Sequence, residues 1–280
     1  MVFMINTKIN TKKKLFGIGL RLISLLLILL LLVSCAHEYA LKNSSNEYKT
    51  SPSPREDKKV ETSYSSELID AKLITLKTED GKNIFGKYYR TNSSTIIILL
   101  HMLDKDHNSW DKFAEELYLL NYSVIAIDFR GHGKSSGKWE NFNIEDFNSM
   151  ILDVKEAKEF GLLEKKSNFV IIGASIGANI ALNYAATDKE VKGVALLSPG
   201  LDYHGVKIDV ATLNYGQRSI LLAASEDDKY SADTVRELSS KLVGKKKLVM
   251  YKAAGHGTDM FVNEPKLENE IIEWLNENNS

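Results

Sequence analysis

The chain has 280 residues, 44% of them hydrophobic and 26% charged, a globular balance that excludes collagen-like or wholly disordered character. Its net charge of −1 conceals an asymmetry. The first 35 residues hold five cations and no acid, leaving 31 cations against 37 acids in the remainder, so no basic surface for nucleic acid is expected. One cysteine, Cys35, excludes an internal disulfide.

Lys8 to Lys14 form a positive run, Leu22 to Ser34 are almost wholly apolar, and Cys35 follows. That is the layout of a signal peptide, and an apolar run of about 13 residues is short for a bilayer-spanning helix. Leu32-Val33-Ser34-Cys35 resembles the bacterial lipobox. The resemblance implies that residues 1–34 are removed, that Cys35 is lipidated, and that the chain is an exported, membrane-anchored lipoprotein. An uncleaved signal-anchor is the alternative. Residues 35–66 are polar and contain Ser51-Pro52-Ser53-Pro54, which predicts a disordered tether. The folded domain is expected over 67–280, with about 215 residues available for one core.

Ala71–Lys77 and Asn83–Tyr89 flank Glu79-Asp80-Gly81 and read as a hairpin. Thr95–Leu100 is a continuous β-branched and aliphatic run, as expected of a strand buried on both faces. Trp110–Leu120 has helical periodicity. Alternating strands and helices follow: strand Tyr122–Ile127, helix Ile144–Phe160, strand Phe169–Ile172, helix Ile176–Ala186, strands Val191–Leu197 and Ile220–Ala224, helix Thr234–Leu242, strand Lys247–Tyr251, helix Leu267–Leu275. An antiparallel start followed by strand–helix units predicts an α/β fold, a mostly parallel eight-stranded sheet with helices on both faces. Its site belongs at the carboxyl ends of the strands.

Three segments at such ends carry reactive side chains. Gly173-Ala174-Ser175-Ile176-Gly177 lies between a strand and a helix. There G-x-S-x-G reads as a nucleophile elbow, whose tight turn leaves no room for side chains at the glycines. A serine nucleophile needs a base. His256, between Gly255 and Gly257 after the last strand, is placed to supply it. A carboxylate between the two in sequence would orient the histidine. Ser225-Glu226-Asp227-Asp228 follows strand Ile220–Ala224; Asp227 is the expected member, with Asp228 the alternative and a solvated acidic turn the bland reading.

With this order of residues, about residues 70 to 277 resemble the α/β-hydrolase superfamily. Asp128-Phe129-Arg130-Gly131-His132-Gly133-Lys134-Ser135 resembles the family's D-x-R-G-x-G-x-S loop, which implies structural roles for Arg130 and His132. His101 ends the third strand, where the family commonly has His-Gly; here Met102 follows. The resemblance implies an oxyanion hole formed by the backbone N–H groups of Met102 and Ile176, with Leu103 an alternative donor for the first. It implies attack by Ser175 on an acyl carbonyl and hydrolysis of the acyl-enzyme, without a metal or organic cofactor. The link from Ser198 to Arg218 leaves room for little or no cap, which suits short-acyl or acetyl esters on a small molecule or glycan. Tyr203, Tyr215, Tyr230, Trp110 and Met102 either line the entrance or pack. A monomer is expected. Peptidase, acyltransferase and non-catalytic tethered binding protein are the alternatives.

Overall fold

The computed structural model describes Ile69 and residues 71–278. The signal peptide, Cys35 and the tether lie outside the described residues.

The strands are β1 (Ala71–Lys77), β2 (Asn83–Tyr89), β3 (Thr95–Leu100), β4 (Ser123–Ile127), β5 (Asn168–Ala174), β6 (Val191–Leu197), a short hairpin β7 (Asp202–Tyr203) and β8 (Val206–Lys207), β9 (Ser219–Ser225) and β10 (Lys246–Tyr251). Eight form one sheet in the order β1-β2-β4-β3-β5-β6-β9-β10. The β1–β2 and β2–β4 pairings are antiparallel and the rest parallel. The eight-stranded, mostly parallel sheet expected from the sequence is thus present. β7 and β8 stand apart as a two-stranded sheet.

The helices are α1 (Asp111–Leu119), α2 (Ile144–Asn148), α3 (Ile151–Leu163), α4 (Ile176–Thr187), α5 (Asp209–Asn214), α6 (Lys229–Lys241), α7 (Met260–Asn263) and α8 (Lys266–Asn278). The single helix expected over Ile144–Phe160 is two. Ser149 Oγ donates to the Glu145 carbonyl and Asn148 Nδ2 to the Ile144 carbonyl. Side chains thereby satisfy the end of α2, competing with continuation of the helix.

Every residue of β3 is buried, and the alternation of its side chains divides the core. Ile96, Ile98 and Leu100 join Val154 and Ala157 of α3, Ile180 of α4 and Val235 of α6. Ile97 and Leu99 join Phe113 and Leu117 of α1 and Ile271 and Trp274 of α8. Each such aliphatic side chain contributes about 1.5–3 kcal/mol when removed from water. β5, at the centre, is therefore the most rigidly framed position from which to present a side chain. β10 is an edge strand in which only Val249 is fully buried.

Candidate active site

β5 runs into α4 through Ser175, whose backbone is left-handed (φ 55°, ψ −122°). A non-glycine residue holds such a conformation only when its surroundings impose it. Here the Ser175 N–H donates to the Leu197 carbonyl at the end of β6, and its own carbonyl accepts the Ala178 N–H at 2.9 Å. The flanking glycines are required by contact. A Cβ on Gly173 would lie 2.3 Å from the Gly177 carbonyl oxygen, and one on Gly177 would lie 2.5 Å from that of Leu100. Glycine lets α4 close onto the end of β3, as expected from the motif. That approach brings the Ile176 peptide to the same end of the sheet as Met102. Neither N–H donates to a backbone acceptor in the turns, loops and caps of the described residues.

His256 is half-buried in the loop after β10, and its Nδ1 lies 2.6 Å from Asp228 Oδ2. The carboxylate that meets the histidine is therefore Asp228, not the expected Asp227. The physical reason is the turn after β9. The Asp227 side chain is exposed and folds back onto its own strand, accepting from the Ser225 hydroxyl. That bond holds its carboxyl below the usual carboxylate range. Asp228 sits at the N-cap of α6, where its side chain accepts the Ser231 N–H and turns toward the His256 loop. A helix N-cap immediately before Lys229 was the available signal for choosing between the two acids.

Asp227 still bears on the site. The buried Ser225 hydroxyl, donating to Asp227, accepts the Ala254 N–H at 2.7 Å, and Asp227 accepts the Gly255 N–H. The pair pins the loop two residues before His256. Ser198, fully buried and left-handed (φ 51°), pins the other side by accepting the Gly257 N–H at 2.9 Å. A Cβ on Gly257 would fall 2.6 Å from Met102 Sδ and 3.5 Å from the Ala174 side chain. The histidine loop thus passes directly over the residue preceding Ser175, with the methionine that replaces the family's glycine wedged beneath it.

His101 fixes the Met102–Leu103 peptide. Its Nε2 accepts the Phe129 N–H at 2.9 Å, so the proton resides on Nδ1, which donates to the Met102 carbonyl at 2.7 Å. Complete burial, with His132 beside it, pushes this imidazole down to about 4, so it serves as a neutral brace.

Arg130 and His132 have the bracing positions the resemblance implies. Arg130 bonds Asp153 and Asp80, and His132 Nδ1 donates to the Arg130 carbonyl. Asp106, His107 and Asp128 place possible ligand atoms within 4.8 Å of one another, but these atoms are already used. Asp128 Oδ1 accepts from the His107 N–H and Nδ1, Oδ2 from the Lys134 N–H, and Asp106 Oδ1 from Asn108. The cluster is a hydrogen-bonded knot between two loops.

Of the aromatics proposed for the entrance, Trp110 and Tyr215 are core residues. Tyr203, on the β7–β8 hairpin, stands edge-on to the His256 ring at 6.2 Å. Its hydroxyl donates to the Ser198 carbonyl and lies 3.1 Å from Ser231 Oγ, and burial raises it to about 12. The hairpin is held down by Asn179, which the sequence reading missed. This fully buried amide donates to the Gly200 and Val206 carbonyls and accepts the Gly200 N–H.

Residues 91–214 match the family described as serine aminopeptidase, S33. That segment includes Ser175 but ends before Asp228 and His256. Over 83% of its length the chain superimposes on 99% of an esterase of Pyrococcus furiosus, with a TM-score of 0.66 at 20% identity. The fold is that of the α/β-hydrolases. Among curated relatives, a serine hydrolase-like protein of Dictyostelium discoideum is 37% identical over 97 residues, 34% of this chain and only 25% of that protein. The AB hydrolase superfamily protein YisY of Bacillus subtilis is 28% identical over 199 residues, 65% of this chain and 69% of its own.

Proposed function

We propose that this α/β-hydrolase-fold chain is a serine hydrolase of carboxylic esters, with Ser175 as nucleophile, His256 as base and Asp228 as the orienting acid. The observation that carries the reading is the left-handed Ser175 at the β5–α4 junction, a strain with no purpose in a mere helix cap. With the His256 proton held on Nδ1 by Asp228, Nε2 is the lone pair free to take the serine proton. Ser175 Oγ then attacks the acyl carbonyl, and the oxyanion is received by the N–H groups of Ile176 and Met102. The His101 brace on the Met102 carbonyl holds the Met102–Leu103 peptide, whose N–H is that of Leu103, the alternative donor; a preorganised donor at this place is worth about 3–4 kcal/mol to the transition state. The protonated His256 gives its proton to the leaving alcohol. Water, deprotonated by the same nitrogen, releases the acid from Ser175.

Between β6 and β9 the described residues form only the Tyr203 hairpin and the six-residue helix α5, so any cap is small. That favours acetyl and other short acyl groups. The signal-like N-terminus and the Leu32–Cys35 lipobox support placement outside the cytoplasm, with lipid on Cys35 holding the enzyme at a membrane.

The test is hydrolysis of p-nitrophenyl acetate and butyrate by residues 36–280, beside Ser175→Ala. Turnover lost in the variant is expected; equal turnover in both would overturn the reading. The matched family's description, an aminopeptidase, favours a second substrate class, and aminoacyl p-nitroanilides in the same assay decide between ester and amide.

A further inference from the structure

Beside the Met102–Gly257 contact a cavity of about 770 Å³ opens between the loop after β3, the loop after β4 and the turn that follows His256. Its nearest wall to the site is Thr258, two residues beyond His256, whose hydroxyl contacts Met102 Sδ. Through that Thr258–Met102 contact the cavity wall meets the loop that carries His256.

Its lining is polar and acceptor-rich. Asp104, Asp106, Glu140 and Asp259 face Lys105 and Lys138, an acidic excess that disfavours an anionic leaving group. Trp139 supplies a flat apolar surface. It is only half-buried, whereas the other two tryptophans, Trp110 and Trp274, are core residues. The indole stacks on His132, ring planes 9° apart with centroids at 5.9 Å. His132 also lines the cavity and is 4% exposed, and its Nε2 has no hydrogen-bond partner among the described residues. Because Nδ1 donates to the Arg130 carbonyl, Nε2 is a bare acceptor. A buried polar atom left unpaired is destabilising, and a hydroxyl admitted beside the half-buried indole would satisfy it.

An aromatic plate, surrounding carboxylates and a waiting imidazole acceptor together fit a neutral group with many O–H donors and a C–H face. We infer that this cavity binds the sugar or polyol that bears the ester, and that the substrates are acylated carbohydrates. The inference rests on the esterase reading for its chemistry; the binding surface itself is independent of it.

The experiment has two arms. In the first, acetate release is compared for a monoacetylated methyl xyloside, ethyl acetate and acetylcholine. Parent protein is expected to favour the sugar ester over ethyl acetate at least tenfold in kcat/KM, and Trp139→Ala to reduce that ratio at least tenfold. In the second, methyl xyloside and xylobiose are titrated into Ser175→Ala protein while indole fluorescence is followed, with Trp139→Phe as the control that removes the signal. Preference for acetylcholine, or a sugar-to-ethyl ratio untouched by Trp139→Ala, would overturn the inference and leave the esterase standing. Failure to cleave any ester, with a fluorescence response that Trp139→Phe abolishes, would overturn the esterase and keep the sugar cavity. No fluorescence response to either sugar refutes the cavity assignment outright.

Discussion

Exchanging Asp228 for asparagine removes one charge and almost no volume, which makes it the sharpest probe of the site. In the proposed mechanism His256 becomes an imidazolium in the transition state, and its Nδ1 lies 2.6 Å from Asp228 Oδ2. Two unit charges with centres about 4 Å apart attract by about 4 kcal/mol at the effective dielectric of a protein surface. The imidazole is 37% exposed and the carboxylate 17%, so solvent takes part of this, leaving about 3 kcal/mol. That corresponds to a loss of about 10²-fold in kcat, with a further loss where asparagine permits the wrong tautomer. Asp227→Asn keeps an acceptor for Ser225 and is expected to cost less than tenfold. The assay is kcat and KM on p-nitrophenyl acetate for both variants, with urea midpoints to confirm intact folds. A more damaging Asp227→Asn, or an Asp228→Asn within threefold of the parent, would refute Asp228 as the orienting acid.

Asn179→Ala strands the buried Gly200 and Val206 carbonyls, and by the cost of unpaired groups should lower stability by about 2–4 kcal/mol, read as a shift in urea midpoint. It should also relax short-acyl selectivity, seen as a rise in the butyrate-to-acetate ratio once the Tyr203 hairpin loosens. Gly177→Ala drives a methyl into the Leu100 and His101 carbonyls; overpacking of about 1–3 kcal/mol and loss of turnover beyond the loss of stability are expected. His101, held at about 4 against 6.5 in the unfolded chain, binds fewer protons when folded. Its contribution is therefore complete above pH 6.5 and lost as pH falls to 4, a decline of about 3 kcal/mol. Denaturation between pH 4 and 7 should show this slope, and His101→Gln should flatten it.

The strands were legible because β3, β5, β6 and β9 are apolar runs buried on both faces, and burial leaves few alternatives for such sequences. Ser175 was legible because the elbow's contacts admit only glycine at 173 and 177. The choice of acid was not, since three consecutive acidic residues share one spacing. What separates Asp227 from Asp228 is the direction each side chain leaves a turn, and that depends on Ser225 and the α6 N-cap. Asn179 and Ser198 escaped notice for a related reason. A buried amide in a helix and a serine after a strand have no pattern of their own, and the partners of these two side chains lie 21 to 59 residues away.

His256 hangs from β10, an edge strand, while Ser175 rides on the central one. The two halves of the site therefore belong to regions of unequal local stability. Edge elements open at lower free energy than the middle of a sheet. On heating, β10 and its loop should release the imidazole while the inner strands remain paired. Loss of the proposed turnover should then precede melting and be reversible on cooling, and Lys247, which bridges β10 to Glu270 and Glu273 of α8, helps set the temperature at which the site comes apart with the fold still standing.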